Sequence, residues 1–121
     1  MQHASRFLTL VNKAKEHIKE VDIEQAKQLL DNDKDIILID TREESEWASG
    51  HLPDAIHLGK GVIERDIERM VPETDTTLIL YCGGGYRSAL AAMNLQVMGY
   101  TNVISMDGGF KGWVAAGLPV M

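Results

Sequence analysis

Apolar residues recur at Phe7, Val11, Ala14 and Ile18, the i, i+4, i+7, i+11 spacing of one helical stripe, so a helix is predicted over residues 4–18. Asp22 and Gln25 then stand three apart like the two halves of a capping box. They open a second helix whose apolar face is Ile23, Ala26, Leu29 and Leu30. The pattern changes at residues 36–40 and 77–82, which are short, nearly continuous apolar runs suited to a parallel sheet covered on both faces. Residues 55–58 and 102–106 are weaker strands, and a short one is possible at 20–22. Helical segments fall between them at about 43–49, 61–69 and 87–98, the last closed by Gly99. The segment Glu64 to Arg69 reads as a solvated helix face carrying i, i+4 charge pairs. Strands alternating with helices predict an α/β fold with a mainly parallel sheet.

The length, 121 residues, is that of one domain able to bury roughly two-thirds of its unfolded surface without a disulfide or metal. No repeat or linker divides it. We take residues 1–19 as a helical extension that packs on the domain and 20–121 as the domain itself. The apolar runs Ile36 to Ile39 and Ala89 to Met93 are too short to span a bilayer. Met1 to Phe7 lack the features of a signal peptide. A cytoplasmic protein is expected, with no membrane partner. A net charge of −6 argues against a nucleic-acid partner, which would select a clustered basic surface. It leaves room for a small anion at a local positive site.

A single cysteine excludes an internal disulfide, a cysteine metal cluster and an internal resolving thiol. Most lone cysteines are small buried hydrophobes, so Cys82 draws interest only through its surroundings. A buried strand runs into Cys82-Gly83-Gly84-Gly85-Tyr86-Arg87-Ser88 and a helix follows at once. Consecutive glycines let backbone N–H groups turn inward as an anion nest. The helix start near Arg87 and Ser88 adds a positive dipole end, and Arg87 adds a fixed charge. Those donors favour thiolate over thiol, and the same nest suits an anionic substrate. A tight turn around an inert cysteine is the plain alternative, and one or two of the glycines serve the turn alone.

These residues resemble the rhodanese family, whose active loop reads Cys-x-x-Gly-x-Arg-Ser in many single-domain members; here Cys82, Gly85, Arg87 and Ser88 match. Asp40-Thr41-Arg42, Glu46-Trp47, Gly50-His51-Leu52-Pro53 and Ala55-Ile56 are similar to the family's upstream segment. Gly108-Gly109-Phe110-Lys111-Gly112-Trp113 is similar to its C-terminal one. Asp54 stands where the family usually has Gly, and Thr41 replaces a common Val. The resemblance implies about five parallel strands flanked by helices and a ping-pong sulfur transfer. Cys82 would take a sulfane sulfur from a small anionic donor such as thiosulfate or a persulfide, then pass it to a thiol or cyanide. The N–H groups of residues 83–87, taken as substrate-binding, would hold the anionic species. Arg87 would brace the loop or receive the anion, and Ser88 would cap the helix or bond the sulfur. No metal or other cofactor is expected, and a monomer or weak homodimer is.

Asp40 and Arg42 end a strand on the same sheet edge as Cys82 and are candidate pocket residues; as buried charges they would alternatively bond to each other. His51 is a candidate acid or base in a context that reads as a structural turn. Trp47 and Trp113 are core or pocket-wall candidates. Two rival functions remain. Cysteine phosphatases and arsenate reductases place His before the cysteine and five residues before the arginine; here Tyr81 precedes Cys82 and four residues intervene. A non-catalytic interaction or sensing module would usually lack the cysteine altogether.

Overall fold

The segments expected as strands form one five-stranded sheet in the computed structural model, which describes residues 3–121. Met1 and Gln2, the start of the extension taken as 1–19, lie outside the described residues. In chain order the elements are α1 (Ser5–Lys15), β1 (Lys19–Val21), α2 (Ile23–Asn32), β2 (Ile37–Asp40), α3 (Glu44–Ala48) and β3 (Ile56–His57). They continue with α4 (Ile63–Met70), β4 (Leu78–Tyr81), α5 (Tyr86–Val97), β5 (Val103–Met106) and α6 (Gly109–Ala115). The strand order is β1-β5-β4-β2-β3 and every pairing is parallel. From β2 the chain steps outward to β3, then returns to the other side of β2 for β4 and β5. The direction of winding therefore reverses between β2 and β4, and ligands of such sheets bind beyond the strand C-termini at that reversal. Tyr81 and Asp40 are register partners there, and Cys82 follows Tyr81.

Two-residue strand periodicity divides the core into two layers. Ile39, Leu78, Leu80 and Val103 face α4 and α5, packing with Ile63, Ile67, Ala91, Ala92 and Leu95. Leu38, Ile79, Tyr81, Ile104 and Met106 face α2 and α6, packing with Ala26 and Trp113. The helix α1 lies on α5 through its buried Val11 and Ala14. Its last turn ends at Lys15, so Ile18 joins the core from the connection rather than from the helix.

The capping box at Asp22 forms as expected: its carboxylate accepts the Gln25 N–H at 2.8 Å, and its own N–H donates to Gln25 Oε1 at 2.9 Å. Helix α5 closes with the Gly99 and Tyr100 N–H groups on the Gln96 and Leu95 carbonyls. Asp54 has φ +65°, the one left-handed non-glycine among the described residues, at the place where the resemblance expects Gly. The charge ladder of α4 departs from the i, i+4 reading. Asp66 instead gathers Arg65 at 2.8 Å and Arg69 at 3.7 Å, and Glu64 accepts from Asn94 of α5. Helix α6 was not foreseen from the apolar pattern. It opens on two glycines, and its apolar side is carried by Phe110 and Trp113 alone, too few positions to establish a period. Among the described residues no helix is long and apolar enough to cross a membrane.

Candidate active site

Cys82 leaves β4 at the winding reversal with its side chain on the α5 side of the sheet. Its position is held by Thr41, the residue after β2, which donates both its N–H (2.8 Å) and its hydroxyl (2.9 Å) to the carbonyl of Tyr81. The loop 82–85 then turns sharply into α5. Gly85 makes the turn at φ +104°, and a Cβ there would press on Asp107 and Gly108 at 3.2–3.3 Å. Of the three loop glycines, Gly85 has the left-handed backbone; Gly83 and Gly84 do not.

The loop is held from behind by α6. Phe110 N–H donates to the Cys82 carbonyl at 2.7 Å, and Lys111 N–H to the Gly83 carbonyl at 3.0 Å. In a trans peptide the N–H points opposite to its C=O. Turning those two carbonyls toward α6 therefore turns the Gly83 and Gly84 N–H groups toward the other side. The nest read from the glycines is in this way built partly by a helix that follows much later in the chain.

Sγ of Cys82 accepts the Gly85 N–H at 3.1 Å and lies 3.5 Å from Ser88 Oγ. Ser88 is fully buried and bonds to the equally buried Ser105 of β5 at 2.9 Å. Burial pushes the thiol up. Hydrogen bonds from the Ser88 hydroxyl and from the backbone of Ser88, Gly85 and Gly84 outweigh it, so the Cys82 pKa is lowered. These donors favour the thiolate over the thiol. With Cys82 only 1 % exposed, it is reached from one side alone.

That side is a depression of about 600 Å³ lined by Cys82, Gly83, Gly84, Tyr86, Arg87, Glu46, Gly108 and Lys111, with His3 and Phe7 from the N-terminal segment. Arg87 is forked onto Glu46 of α3, Nη1 to Oε1 at 2.8 Å and Nη2 to Oε2 at 3.2 Å. This bond holds the Glu46 carboxyl down to about 2 and raises Arg87. The cation that the loop supplies is therefore matched by a carboxylate at its edge. Glu46 was visible in the upstream segment but not as a site residue, since nothing in the chain indicates that α3 swings it against Arg87.

Asp40 and Arg42 are not brought to this depression. Asp40 Oδ2 accepts from Arg42 Nη2 at 2.8 Å and from the Tyr81 hydroxyl at 2.7 Å, and Arg42 Nη2 also donates to the Gly50 carbonyl at 2.7 Å. The Tyr81 oxygen accepts the Leu52 N–H at 3.1 Å. The Arg42 guanidinium lies 4.1 Å from the Phe110 ring centroid. Burial pulls Arg42 down, but its bonds to Asp40 carry the balance upward. Alternation explains the placement: Asp40 shares its face with Leu38 and Tyr81, whereas Cys82 continues the face of Leu78 and Leu80. The pair is sealed on the far side of the sheet from the sulfur.

His51 holds the Leu52 carbonyl through Nδ1 at 3.0 Å and stacks on Trp47 at 3.7 Å. Trp47 also stacks on His57, whose Nε2 is 2.8 Å from the Arg42 carbonyl. Trp113 is buried, donates to the Pro119 carbonyl and lines a separate cavity of about 180 Å³ with Leu30 and Pro53. None of these residues reaches Cys82. His3, by contrast, does reach its depression.

Comparison with known proteins agrees with this geometry. The family model for the rhodanese-like domain matches residues 22–116. A sulfurtransferase of Allochromatium vinosum is 33% identical over 104 residues, 86% of this chain and 95% of the relative. The thiosulfate sulfurtransferase GlpE of Pseudoalteromonas translucida is 36% identical over 98 residues, 81% of this chain and 90% of the relative. Among solved structures, a protein of unknown function from Rhodopseudomonas palustris, named a possible tyrosine phosphatase, has TM-score 0.88 and 29% identity. The two align over 100% of this chain and 98% of that one. With 22–116 spanning the sheet beyond β1, the Cys82 loop and the helix that holds it, the chain belongs to the rhodanese-like domain family.

Proposed function

We propose that the protein is a sulfurtransferase that carries a sulfane sulfur as a Cys82 persulfide. The observation that carries the reading is the Cys82 sulfur set in donors, with the Gly85 N–H at 3.1 Å and Ser88 Oγ at 3.5 Å, at the floor of an open depression. The thiolate attacks the outer sulfur of the donor. With thiosulfate, the new Cys–S–S⁻ bond forms as the donor S–S bond breaks, and sulfite leaves with the bonding pair. Charge then sits on the outer sulfur, where the inward N–H groups of residues 83–87 stabilise it. In the second half a thiol or cyanide takes that sulfur, thiocyanate being the product with cyanide, and Cys82 returns as thiolate. Arg87 holds α3 against the loop through Glu46 and adds to the local field. Asp40 and Arg42 act as scaffold beneath the β2 and β4 ends. With one cysteine, every acceptor thiol comes from another molecule, which fits the thiol-rich cytoplasm.

The Rhodopseudomonas neighbour raises phosphatase chemistry as a second reading. Two features weigh against it. Four residues between Cys82 and Arg87 make a smaller cradle than the five of the phosphatase signature. The Arg87 fork, which would clasp two phosphate oxygens, is already engaged by Glu46.

The test is the intact mass of the protein after incubation with thiosulfate, without reductant, beside Cys82→Ser. One added sulfur on the native chain, removed by cyanide and absent from the variant, is the expected result. Failure to load from thiosulfate and from persulfide donors, with the fold intact, would overturn the proposal in favour of an interaction module. Turnover of an aryl phosphate at a rate comparable to sulfur transfer would favour the phosphatase reading.

A further inference from the structure

The N-terminal segment supplies one wall of the Cys82 depression, although it lies outside the residues matched by the family model. His3 and Phe7 meet Tyr86, the first residue of α5, with ring centroids at 4.4 and 6.2 Å, and His3 and Phe7 are 5.5 Å apart. The cluster is fixed from both ends. Val11 and Ala14 anchor α1 on α5. Lys15, one helix end away, sits 5.5 Å from the Tyr86 ring centroid while bridging Glu20 at 3.1 Å and Asp107 at 3.4 Å. All three rings are partly buried and line the depression.

Size and charge decide what such a wall is for. A depression of about 600 Å³ falls within the range that holds drug-sized organic ligands, far beyond what a small inorganic anion such as thiosulfate fills. The sulfur below is 1 % exposed, so only the terminal atom of a donor descends to it and the rest of the molecule stays at ring height. Arg87 is matched by Glu46, which leaves Lys111 as the lining cation that forms no ion pair among the described residues. The rim thus pairs an aromatic surface with one unmatched positive charge.

We infer that the N-terminal segment through α1 builds a subsite for the organic part of the sulfur donor or acceptor: a persulfide or thiol whose carbon skeleton lies on His3, Phe7 and Tyr86 and whose carboxylate meets Lys111. The inference rests on the sulfurtransferase reading above and deepens it. The step balances as Cys82–S⁻ plus R–S–SH giving Cys82–S–SH plus R–S⁻. The Cys82–S bond forms, the donor S–S bond breaks, and the bonding pair leaves on the donor's inner sulfur.

The probes are glutathione persulfide, cysteamine persulfide and thiosulfate, with initial rates of Cys82 persulfide formation read by rapid-quench intact mass. In His3→Ala/Phe7→Ala, the ratio of the glutathione persulfide rate to the thiosulfate rate falls about three- to tenfold. Phe7→Leu, which keeps the bulk on α5 but removes the ring, moves the ratio in the same direction, so a packing defect in the double variant does not obscure the result. Lys111→Gln lowers the preference for glutathione persulfide over cysteamine persulfide about threefold, and Lys111→Arg restores it. Equal losses with all donors, or unchanged ratios, overturn the subsite while leaving sulfur transfer in place. Absence of loading from every donor in the native chain overturns the sulfurtransferase reading itself.

Discussion

Gly109 lies so close to Cys82 that a Cβ on it would overlap the Cys82 carbonyl oxygen and stand 2.8 Å from the Gly83 carbonyl group. That approach lets the next two N–H groups of α6 reach the same two carbonyls. The shape of the sulfur-holding loop is therefore set by the start of a different helix.

Gly109→Ala tests this dependence. The residue has φ +57°, where a side chain costs about 1–2 kcal/mol before any overlap is counted. Relief requires the loop or α6 to move, and a displacement near 1 Å at a reacting centre costs on the order of tenfold to a hundredfold in rate. The expected outcome is a chain that still folds, by circular dichroism and denaturant melts, but loads sulfur on Cys82 at least about tenfold more slowly per folded molecule. Unimpaired loading would show that the α6 contact does not shape the loop.

Ser88→Ala addresses the thiolate. The native Cys82 pKa is lowered against burial by bonds from Ser88, Gly85 and Gly84, so alkylation by iodoacetamide rises with pH through a midpoint below that of the denatured chain. Removing the hydroxyl raises that midpoint. Near neutral pH alkylation slows about threefold to tenfold, the loss of thiolate being partly offset by its greater nucleophilicity. By linkage, a depressed pKa contributes stability that is present above the unfolded value, about 8.5, and lost as pH falls through the folded one. Native and Cys82→Ser chains should accordingly differ most in stability at alkaline pH. A midpoint unmoved in Ser88→Ala would place the stabilisation in the backbone alone.

How much of this was legible depends on how local the signal was. The loop Cys82 to Ser88 could be read because cysteine, turn glycine, cation and helix start adjoin in sequence. The layer assignment of Asp40 needed only strand alternation together with the β2–β4 register, but register is a tertiary fact that pairs Asp40 with Tyr81 across 41 positions. Ser105 and Glu46 reach the site from β5 and α3, and neither has a neighbour in sequence that marks it. Helix α6 was hidden because Gly109, a poor helix former, is required by the close approach to Cys82, and Gly108 by a left-handed backbone at φ +89°, rather than by the helix. His3 carried no signal at all, since its place beside the depression depends on where α1 lands.

Glu46 makes the acid limb of stability a test of the α3–loop brace. Its carboxyl is depressed from the ordinary 4.5 to about 2, chiefly by the bond from Arg87. A depressed carboxyl contributes stability that is fully present above the unfolded value and lost as pH falls toward the folded one. The window is therefore about pH 4.5 down to about 2. Native protein should lose stability across it more steeply than Glu46→Gln, as followed by urea midpoints. The side chains are 31% and 36% exposed, so screening keeps the difference near or below about 1 kcal/mol. Parallel acid limbs would mean that the fork contributes nothing in solution.

Asp40, Arg42 and Tyr81 separate scaffold from site. Their carboxylate, guanidinium and hydroxyl are sealed in one network on the sheet face away from the sulfur. Removing one member of a buried pair leaves the other uncompensated, so Asp40→Ala should cost about 3–5 kcal/mol, a large share of a domain's stability. Tyr81→Phe removes the donor to Asp40 and the acceptor of the Leu52 N–H, a loss of about 1–3 kcal/mol. Because neither side chain lines the depression, Tyr81→Phe should load sulfur from thiosulfate within about twofold of the native rate per folded molecule. The decisive comparison is the denaturant midpoint against the loading rate on the same preparation. A rate that collapses while stability holds would return this triad to the substrate side of the sheet, and a midpoint that falls while the rate holds would fix it as the support on which the Cys82 loop is built.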